Sequence, residues 1–201
     1  MENLRQQGKK RNKRKSKNAG RGLIPNRIDI ADRPKIVDEK QRIGDWELDS
    51  IIGAKHIGAI TSMVERKSKL IRLALLKSST SEATSEAIIK RLEPLKKFVL
   101  TLTSDNGKEF AGHQKISQAI YSSFFFCTPY HSWERGLNEK TNGLVRQHFA
   151  KGLDFAGIVQ ENVQKVENLL NNRPRKTLNY QAPNEVLAAR KGNQSNYALR
   201  C

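Results

Sequence analysis

The sequence predicts an α/β fold built on a mixed five-stranded sheet flanked by helices. Three observations support this prediction. Three short apolar stretches, separated by turn residues, follow one another from position 46 to position 76. Two more apolar stretches come next, each preceded by a segment with apolar residues at helical spacing. The last third of the chain shows helical spacing without further strand signals.

The first three strands are predicted at 46–52, 59–65 and 70–76. The segments between them, 53–58 and 66–69, are rich in Gly, Lys and Ser and read as turns. Short strands joined by short turns are typical of an antiparallel meander.

A helix is predicted at 79–92, directly after the meander. Ser79 and Glu82 have the spacing of a capping box at its start, and Pro94 ends it. Ala87, Ile88 and Leu92 lie along one face of this helix.

The remaining elements alternate and then become helical. The predicted order after the first helix is a strand at 98–104, a short helix at 112–120, a strand at 122–127, and helices at 132–149, 157–171 and 183–189. Strands mixed with helices in this order fit the plan of the ribonuclease H-like fold.

The charge of the chain favours a nucleic acid partner. Lys and Arg outnumber Asp and Glu by 37 to 20, which gives a formal net charge of +17. Residues 1–22 hold nine Lys or Arg and one acid, and we expect this basic tail to be disordered without a partner. The remainder is still basic, which we interpret as a DNA-facing surface. The predicted organisation is the tail 1–22, an extended lead-in 23–44, a catalytic core 45–192 and a C-terminal tail 193–201.

Cysteine content and hydropathy indicate the compartment. Cys127 and Cys201 offer neither a disulfide framework nor the spacing of a metal site. No run approaches the ~18 apolar residues that span a membrane, and the charged N-terminus is unlike a secretory signal. We therefore expect a cytoplasmic protein with no membrane partner.

Asp49 is the first candidate catalytic residue. It lies inside a predicted strand next to Ile51 and Ile52, where a carboxylate is costly unless it is paired or bound to metal. An outward-facing acid on a half-exposed strand would explain it equally. Glu47 has the same strand parity as Asp49 and competes for the same role.

Asp105 is the second candidate. It follows the predicted strand directly, at a strand end where α/β sheets tend to place their sites. Asp-Asn-Gly is also a common turn, so Asp105 could serve only to hydrogen-bond its own backbone. Glu109, four residues later, is interpreted as a neighbour rather than a ligand.

Glu139 is the third candidate. On a helix, Glu139, Asn142, Gly143 and Arg146 share one face. Asn and Gly weaken a helix, so this face is interpreted as pressed against DNA, with Arg146 near a phosphate. The alternative is an exposed salt bridge between Arg135 and Glu139, four residues apart.

Three carboxylates from separate elements would suffice for two-metal phosphoryl transfer. Mg²⁺ prefers hard oxygen ligands and takes only a few carboxylates. Two such ions activate the attacking oxygen and stabilise the leaving oxygen. That chemistry needs no histidine, so His131 and His148 stay outside the catalytic set. Trp46 and Trp133 are predicted to pack in or around the core, although Trp133 could instead stack on a base.

Several motifs in matching order resemble one family, the bacterial transposases of the insertion-sequence-thirty family within the DDE transposase and integrase superfamily. The resemblance runs from about residue 22 to residue 187. Its motifs are Ile24-Pro-Asn-Arg27, Arg42-Ile-Gly-Asp-Trp-Glu47, Val64-Glu-Arg-Lys-Ser68, Asp105-Asn-Gly-Lys-Glu-Phe-Ala-Gly-His113, Asn138-Glu-Lys-Thr-Asn-Gly-Leu-Val-Arg146 and Leu170-Asn-Asn-Arg-Pro-Arg-Lys176.

The resemblance implies a ribonuclease H-like fold and the metal-binding catalytic triad Asp49, Asp105 and Glu139. It further implies two Mg²⁺ or Mn²⁺ ions, nicking of DNA 3′ ends and strand transfer during transposition. The implied partners are insertion-sequence ends and target DNA, with a homo-oligomer on DNA in the bacterial, nucleoid-associated cytoplasm. The residues expected to contact DNA are Arg135, Lys140, Asn142 and Arg146.

Two departures from the family pattern leave alternatives open. Leu48 replaces a glycine usual before the first aspartate, and because it points away from Asp49 we expect altered packing rather than lost metal. We find no room for the family's N-terminal helix-turn-helix region, so the alternative function is a truncated, non-catalytic derivative that binds DNA or transposase. A host ribonuclease H or junction-resolving nuclease shares the chemistry but fits the flanking motifs poorly.

Overall fold

The computed structural model describes residues 24–129 and 131–198, with side chains described as far as Arg190 except those of His56 and Ser132. The predicted basic tail 1–22 and Cys201 therefore lie outside the described residues.

The predicted five-stranded mixed sheet is confirmed. Its strands are β1 Asp45–Ile52, β2 Ala59–Glu65, β3 Ile71–Leu76, β4 Thr101–Ser104 and β5 Ser123–Phe126. Their order across the sheet is β3-β2-β1-β4-β5, with β1 in the middle. The β1–β2 and β2–β3 pairs are antiparallel, as the predicted meander requires, while β4 and β5 run parallel to β1.

Helices cover both faces of the sheet. Their bounds are α1 Ile36–Glu39, α2 Ser81–Leu92, α3 His113–Ile120, α4 Gly136–Arg146, α5 Gln160–Asn171 and α6 Pro183–Ala198. One core cluster joins the first sheet face to α2 and α3, and the second joins the opposite face to α4 and α5. Among the described residues, no helix is long and apolar enough to cross a membrane.

Strand alternation in β1 separates the packing residues from the acids. Trp46 and Leu48 point into the α2–α3 core and are at most 1% exposed. Ile51 belongs to the opposite cluster, and Glu47 and Asp49 share its parity. Leu48 thus points away from Asp49, as expected, and its side chain fills core space.

The first helix and the fourth strand differ from their predictions. The N-cap of α2 is Thr80, whose hydroxyl accepts a hydrogen bond from the Ala83 amide at 3.3 Å, so the capping role given to Ser79 was wrong. The strand predicted at 98–104 is shortened to Thr101–Ser104. The reason lies upstream, where the chain forms a 3₁₀ helix, Glu93–Phe98, with Pro94 in its first turn. The first residue predicted for the strand, Phe98, belongs to this helix.

The later helices also have different limits. The segment predicted at 132–149 starts as a 3₁₀ turn, Ser132–Arg135, and its α-helix ends at Arg146. The helix predicted from 157 begins at Gln160, capped by Asn162, whose side chain accepts from the Val159 amide. The final helix continues past 189 to Ala198 and so crosses the predicted boundary at 192, although Gly192 and Asn193 lower the helix propensity there. The lead-in 23–44 is not purely extended, since it holds a 3₁₀ turn, Ile30–Asp32, and α1.

Candidate active site

Asp49 lies in the middle strand, facing α4. Its carboxylate accepts hydrogen bonds from the Ser50 amide at 2.9 Å and from Asn142 Nδ2 at 2.8 Å. Asn142 is itself fixed, because its Oδ1 accepts from the Ser62 hydroxyl at 2.8 Å. Burial raises the pKa of Asp49, while the charge of Arg135 pulls it down. The outward-facing alternative is therefore wrong, since the side chain is only 21% exposed and is held from two sides.

Asp105 follows β4, the parallel neighbour of β1. One carboxylate oxygen, Oδ1, accepts from the Gly107 amide at 2.9 Å, which is the turn interaction that the Asp-Asn-Gly motif predicts. The other oxygen, Oδ2, lies 3.4 Å from Arg135 Nη2. The turn and the site are therefore not alternatives, because each uses a different oxygen of the same side chain.

Arg135 joins the two aspartates. Its Nη1 lies 3.2 Å from Asp49 Oδ1 and its Nη2 lies 3.4 Å from Asp105 Oδ2. Burial lowers the pKa of this guanidinium, but the two carboxylates outweigh burial and raise it. The alternative salt bridge between Arg135 and Glu139 does not form, because two partly buried carboxylates attract the guanidinium more strongly than one exposed carboxylate. Two negative charges, one in the middle strand β1 and one at the carboxyl end of β4, thus share one positive charge.

Glu139 is placed on the correct helix but apart from this pair. It is exposed on α4 and has no hydrogen-bond or ion-pair partner among the residues that the structure describes. Within the same described ranges, no three His, Cys, Asp or Glu side chains are arranged to hold a metal ion. The complete triad therefore stays a prediction, with Asp49 and Asp105 brought together and Glu139 one helical turn from Asn142.

Glu47 is an enclosed acid rather than an open one. It is 1% exposed, accepts from the Asn138 amide at 3.1 Å and lies 3.4 Å from Arg66 Nε. Burial raises its pKa, and Arg66 acts in the opposite direction. These contacts attach the start of α4 to β1, so Glu47 positions the helix that carries Glu139 and Asn142.

Glu109 is a partly buried acid in the neighbourhood of the two aspartates. Burial raises its pKa, and the negative charges of Asp105 and Asp49 add to that rise. The sequence signal was its position four residues after Asp105, which was interpreted as that of a neighbour. The structure agrees with that interpretation, and Glu109 is a third partly buried carboxylate near Asp49 and Asp105.

The four residues expected to contact DNA occupy different environments. Arg135 and Asn142 are turned towards the aspartates, as described above. Arg146 donates to the Ile52 carbonyl at 2.9 Å, at the end of β1, and Lys140 is exposed on α4. Core packing was correct for Trp46, whose Nε1 donates to the Phe98 carbonyl, but wrong for Trp133, which is 69% exposed and stacks on His131.

Comparisons with known proteins place this geometry in context. No protein-family model matches the chain. The chain is 48% identical over 182 residues to the transposase for insertion sequence element IS4351 of Bacteroides fragilis, covering 90% of this chain and 56% of that protein. It is 34% identical over 165 residues to the transposase InsI for insertion sequence element IS30A of Escherichia coli, covering 82% of this chain and 43% of that protein. The chain spans about half the length of the curated relatives it matches.

Solved structures agree on the fold. The catalytic core domain of BIV integrase superposes with a TM-score of 0.57 at 20% identity, covering 75% of this chain and 97% of that domain. A chain of the simian T-cell lymphotropic virus intasome in complex with PP2A regulatory subunit B56 gamma gives a TM-score of 0.59 at 17% identity, covering 71% of this chain and 53% of that chain. The predicted ribonuclease H-like fold is therefore confirmed. Over the region that it shares with its relatives, the chain belongs to the insertion-sequence transposases of the IS30 family.

Proposed function

We propose that this chain provides the catalytic domain of a DNA transposase, which nicks DNA 3′ ends and joins them to a target in a metal-dependent reaction. The observation that carries the proposal is the pair Asp49 and Asp105 on neighbouring parallel strands, sharing the single guanidinium of Arg135. The relatives of this chain are transposases, which supports the same reaction class.

The chemistry of the donors fits a divalent cation. Two carboxylates with one positive charge between them leave a local excess of negative charge, and carboxylate oxygens are the ligands that Mg²⁺ and Mn²⁺ prefer. Asp49, Asp105 and Glu139 would hold the metal, expected as two ions. Bound there, the ions would activate the attacking oxygen and neutralise charge on the reacting phosphate.

The other residues of the site act on the ligands and on the DNA. Asn142 orients the Asp49 carboxylate, and Ser62 fixes Asn142, so this aspartate keeps its position without a metal. Glu47 secures the first turn of α4, which determines how far Glu139 must move to join the aspartates. Arg135 neutralises part of the charge of the pair in this structure. With a metal held by the aspartates, its guanidinium would be available to DNA, and Lys140 and Arg146 would contact DNA from other positions on α4.

The proposed partners follow from this reaction. They are the ends of an insertion sequence and a target DNA, on which the protein acts as a homo-oligomer in the nucleoid-associated cytoplasm of a bacterium. The net charge of +17 supports an anionic partner of this kind.

The experiment is a nicking and strand-transfer assay on element-end DNA, with and without Mg²⁺ or Mn²⁺. A metal site contributes several kcal/mol to such reactions, so Asp105→Asn should reduce the rate on the order of 10³-fold while DNA binding is kept. Asp32→Asn, at an exposed position in the 3₁₀ turn of the lead-in, is the matched control and should retain the rate.

Full activity of Asp105→Asn would end the proposal. A wild-type chain that binds DNA but neither nicks nor joins it with either metal would instead establish the alternative, a non-catalytic DNA-binding derivative.

A further inference from the structure

A basic cavity lies on the flank of α4 opposite the aspartates. Its volume is about 260 Å³. Four cationic side chains and an apolar wall line it: Lys40, Lys69, Lys140 and Arg175, with Ile71 and Leu144. Lys140 and Leu144 are one turn apart on α4, whereas Asn142, between them in sequence, points to the other flank and contacts Asp49. The cavity and the active site are thus separated by a helix about 10 Å in diameter.

The backbone presents these cations in a fixed way. Lys40 ends α1 and Lys69 lies in the β2–β3 turn, and both have left-handed backbone angles, with φ of 55° and 61°. The ammonium group of Lys69 donates to the Arg66 carbonyl, and Arg175 donates to the Leu170 carbonyl at 3.0 Å. Two of the four cations are therefore held in place by main-chain oxygens rather than by carboxylates.

The charges of the cavity are not balanced from within. Among the residues that the structure describes, no Asp or Glu lines it. Burial lowers the pKa of Lys69, and the charge of Lys40 lowers it further, against the weaker pull of Glu65 and Glu47. Burial likewise lowers the pKa of Arg175, with a contribution from Arg173. An anion in the cavity would relieve this mutual repulsion.

We propose that this cavity binds a backbone phosphate of DNA, away from the phosphate that reacts. The inference rests on the proposed function, which makes DNA the partner. Lysine and arginine side chains, together with hydroxyl groups such as that of Thr141 in the same lining, are the usual donors to phosphate oxygens. The volume is large enough for one phosphate with its sugar. A phosphate held here fixes the register of the DNA on α4, so that the scissile phosphate reaches Asp49 and Asp105 on the other flank.

The test measures DNA binding without metal, by fluorescence anisotropy of a labelled duplex in EDTA. The variant combines Lys40→Asn with Lys69→Asn, because asparagine tolerates the left-handed backbone of both positions and neither lysine is a DNA contact proposed for the active site. The matched control combines Lys90→Gln with Lys97→Gln, two exposed lysines on and beside α2 that carry the same charge change. Thermal melting of each variant confirms that it is folded.

The expected result is a change in salt dependence. Each lost phosphate contact reduces the magnitude of the slope of log K against log salt by about 0.9, so the cavity variant, which loses one phosphate, should lose about 0.9, while the control variant keeps the wild-type slope. An unchanged slope in the cavity variant, or an equal loss in the control, overturns the proposal.

A second arm separates DNA from a free phosphate compound. If the cavity variant loses binding of tripolyphosphate but keeps the wild-type slope for DNA, the cavity serves a small anion and the proposal is wrong. Because no metal or cleavage enters these measurements, failure of the transposase chemistry and failure of this site give different results.

Discussion

Glu167 on α5 and the aspartate pair of β1 and β4 both bind arginine, but the ratio of carboxylates to guanidinium groups is opposite in the two clusters. Glu167 is fully buried, and one carboxylate is met by two guanidinium groups, from Arg72 and Arg91. It also accepts from the Leu73 amide at 2.6 Å, which ties α5 to the edge strand β3. At the aspartate pair, one guanidinium is shared between two carboxylates that are 21% and 40% exposed.

The difference distinguishes a structural ion cluster from a reactive one. Every oxygen of Glu167 has a fixed protein donor, so any exchange of partners would leave a charge buried and unpaired. Asp49 and Asp105 have more negative charge than the protein neutralises, and they are open to solvent. The proposed metal ion would therefore improve the charge balance there by replacing Arg135, whereas it would bring no such gain in the Glu167 cluster.

The largest expected effect is on stability, at Glu167. Glu167→Gln removes the buried charge and leaves Arg72 and Arg91 without their counter-ion. Breaking a buried pair costs about 3–5 kcal/mol, and we expect about 3 kcal/mol because both guanidinium side chains are 24% exposed. Urea denaturation measures the change in the free energy of unfolding.

The control for this prediction is Glu161→Gln on the same helix. Glu161 is exposed in the first turn of α5, and its substitution should change stability by less than about 0.5 kcal/mol. A loss below about 1 kcal/mol in Glu167→Gln would erase the contrast between the two clusters.

A smaller effect is expected at Arg135. In Arg135→Gln, a cation no longer has to displace the guanidinium from Asp49 and Asp105. Each ion pair at a partly exposed position contributes up to about 1 kcal/mol, so loss of the two pairs of Arg135 should lower the apparent Kd for Mn²⁺ roughly three- to tenfold. Isothermal titration calorimetry without DNA measures it.

Arg146→Gln is the matched control for the Arg135 variant. Arg146 donates to the carbonyls of Ile52 and Ala150, not to a carboxylate, so its removal should leave the Mn²⁺ affinity unchanged. Weaker or equal Mn²⁺ binding by Arg135→Gln would show that Arg135 supports the metal site rather than competing for it.

The sheet and the positions of the two aspartates relative to its strands could be predicted because their signals are local. Apolar stretches with turn residues between them defined four of the five strands to within about two residues, and Asp105 was placed at a strand end by its own motif. The fourth strand was shortened because Pro94 acts on residues after it, which a strand pattern does not show. The limits of α4 depended similarly on the 3₁₀ turn before it.

Charge pairing could not be predicted because it depends on the tertiary fold. Arg135 is four residues from Glu139 but pairs with Asp49, which is 86 residues away in sequence. Glu167 lies on the face of α5 that Val163 and Leu170 mark as apolar. No residue near it in sequence indicates that it pairs with Arg72. The exposure of Trp133 was missed for the same reason. A single tryptophan in the sequence does not show whether its side chain faces the core or the solvent.

The smallest expected effect is at Glu109, which tests where the reactive cluster ends. Glu109 is a half-buried neighbour of Asp105, so Glu109→Gln should reduce DNA nicking by about tenfold or less, as for other residues that support a metal ligand. Glu139→Gln should reduce the nicking rate as far as Asp105→Asn does, because Glu139 is the proposed third ligand.

The stability of the Glu109→Gln variant supplies an independent readout, since burial raises the pKa of Glu109 above 4.5. The folded state then binds more protons than the unfolded state in the window above pH 4.5. The stability that Glu109 contributes is complete below that pH and is lost as pH rises, so Glu109→Gln should flatten the decline seen in urea titrations of the wild type. If Glu109→Gln instead stops nicking while Glu139→Gln retains it, the third ligand is Glu109. The site would then be formed by β1, β4 and the turn after β4, without a ligand from α4.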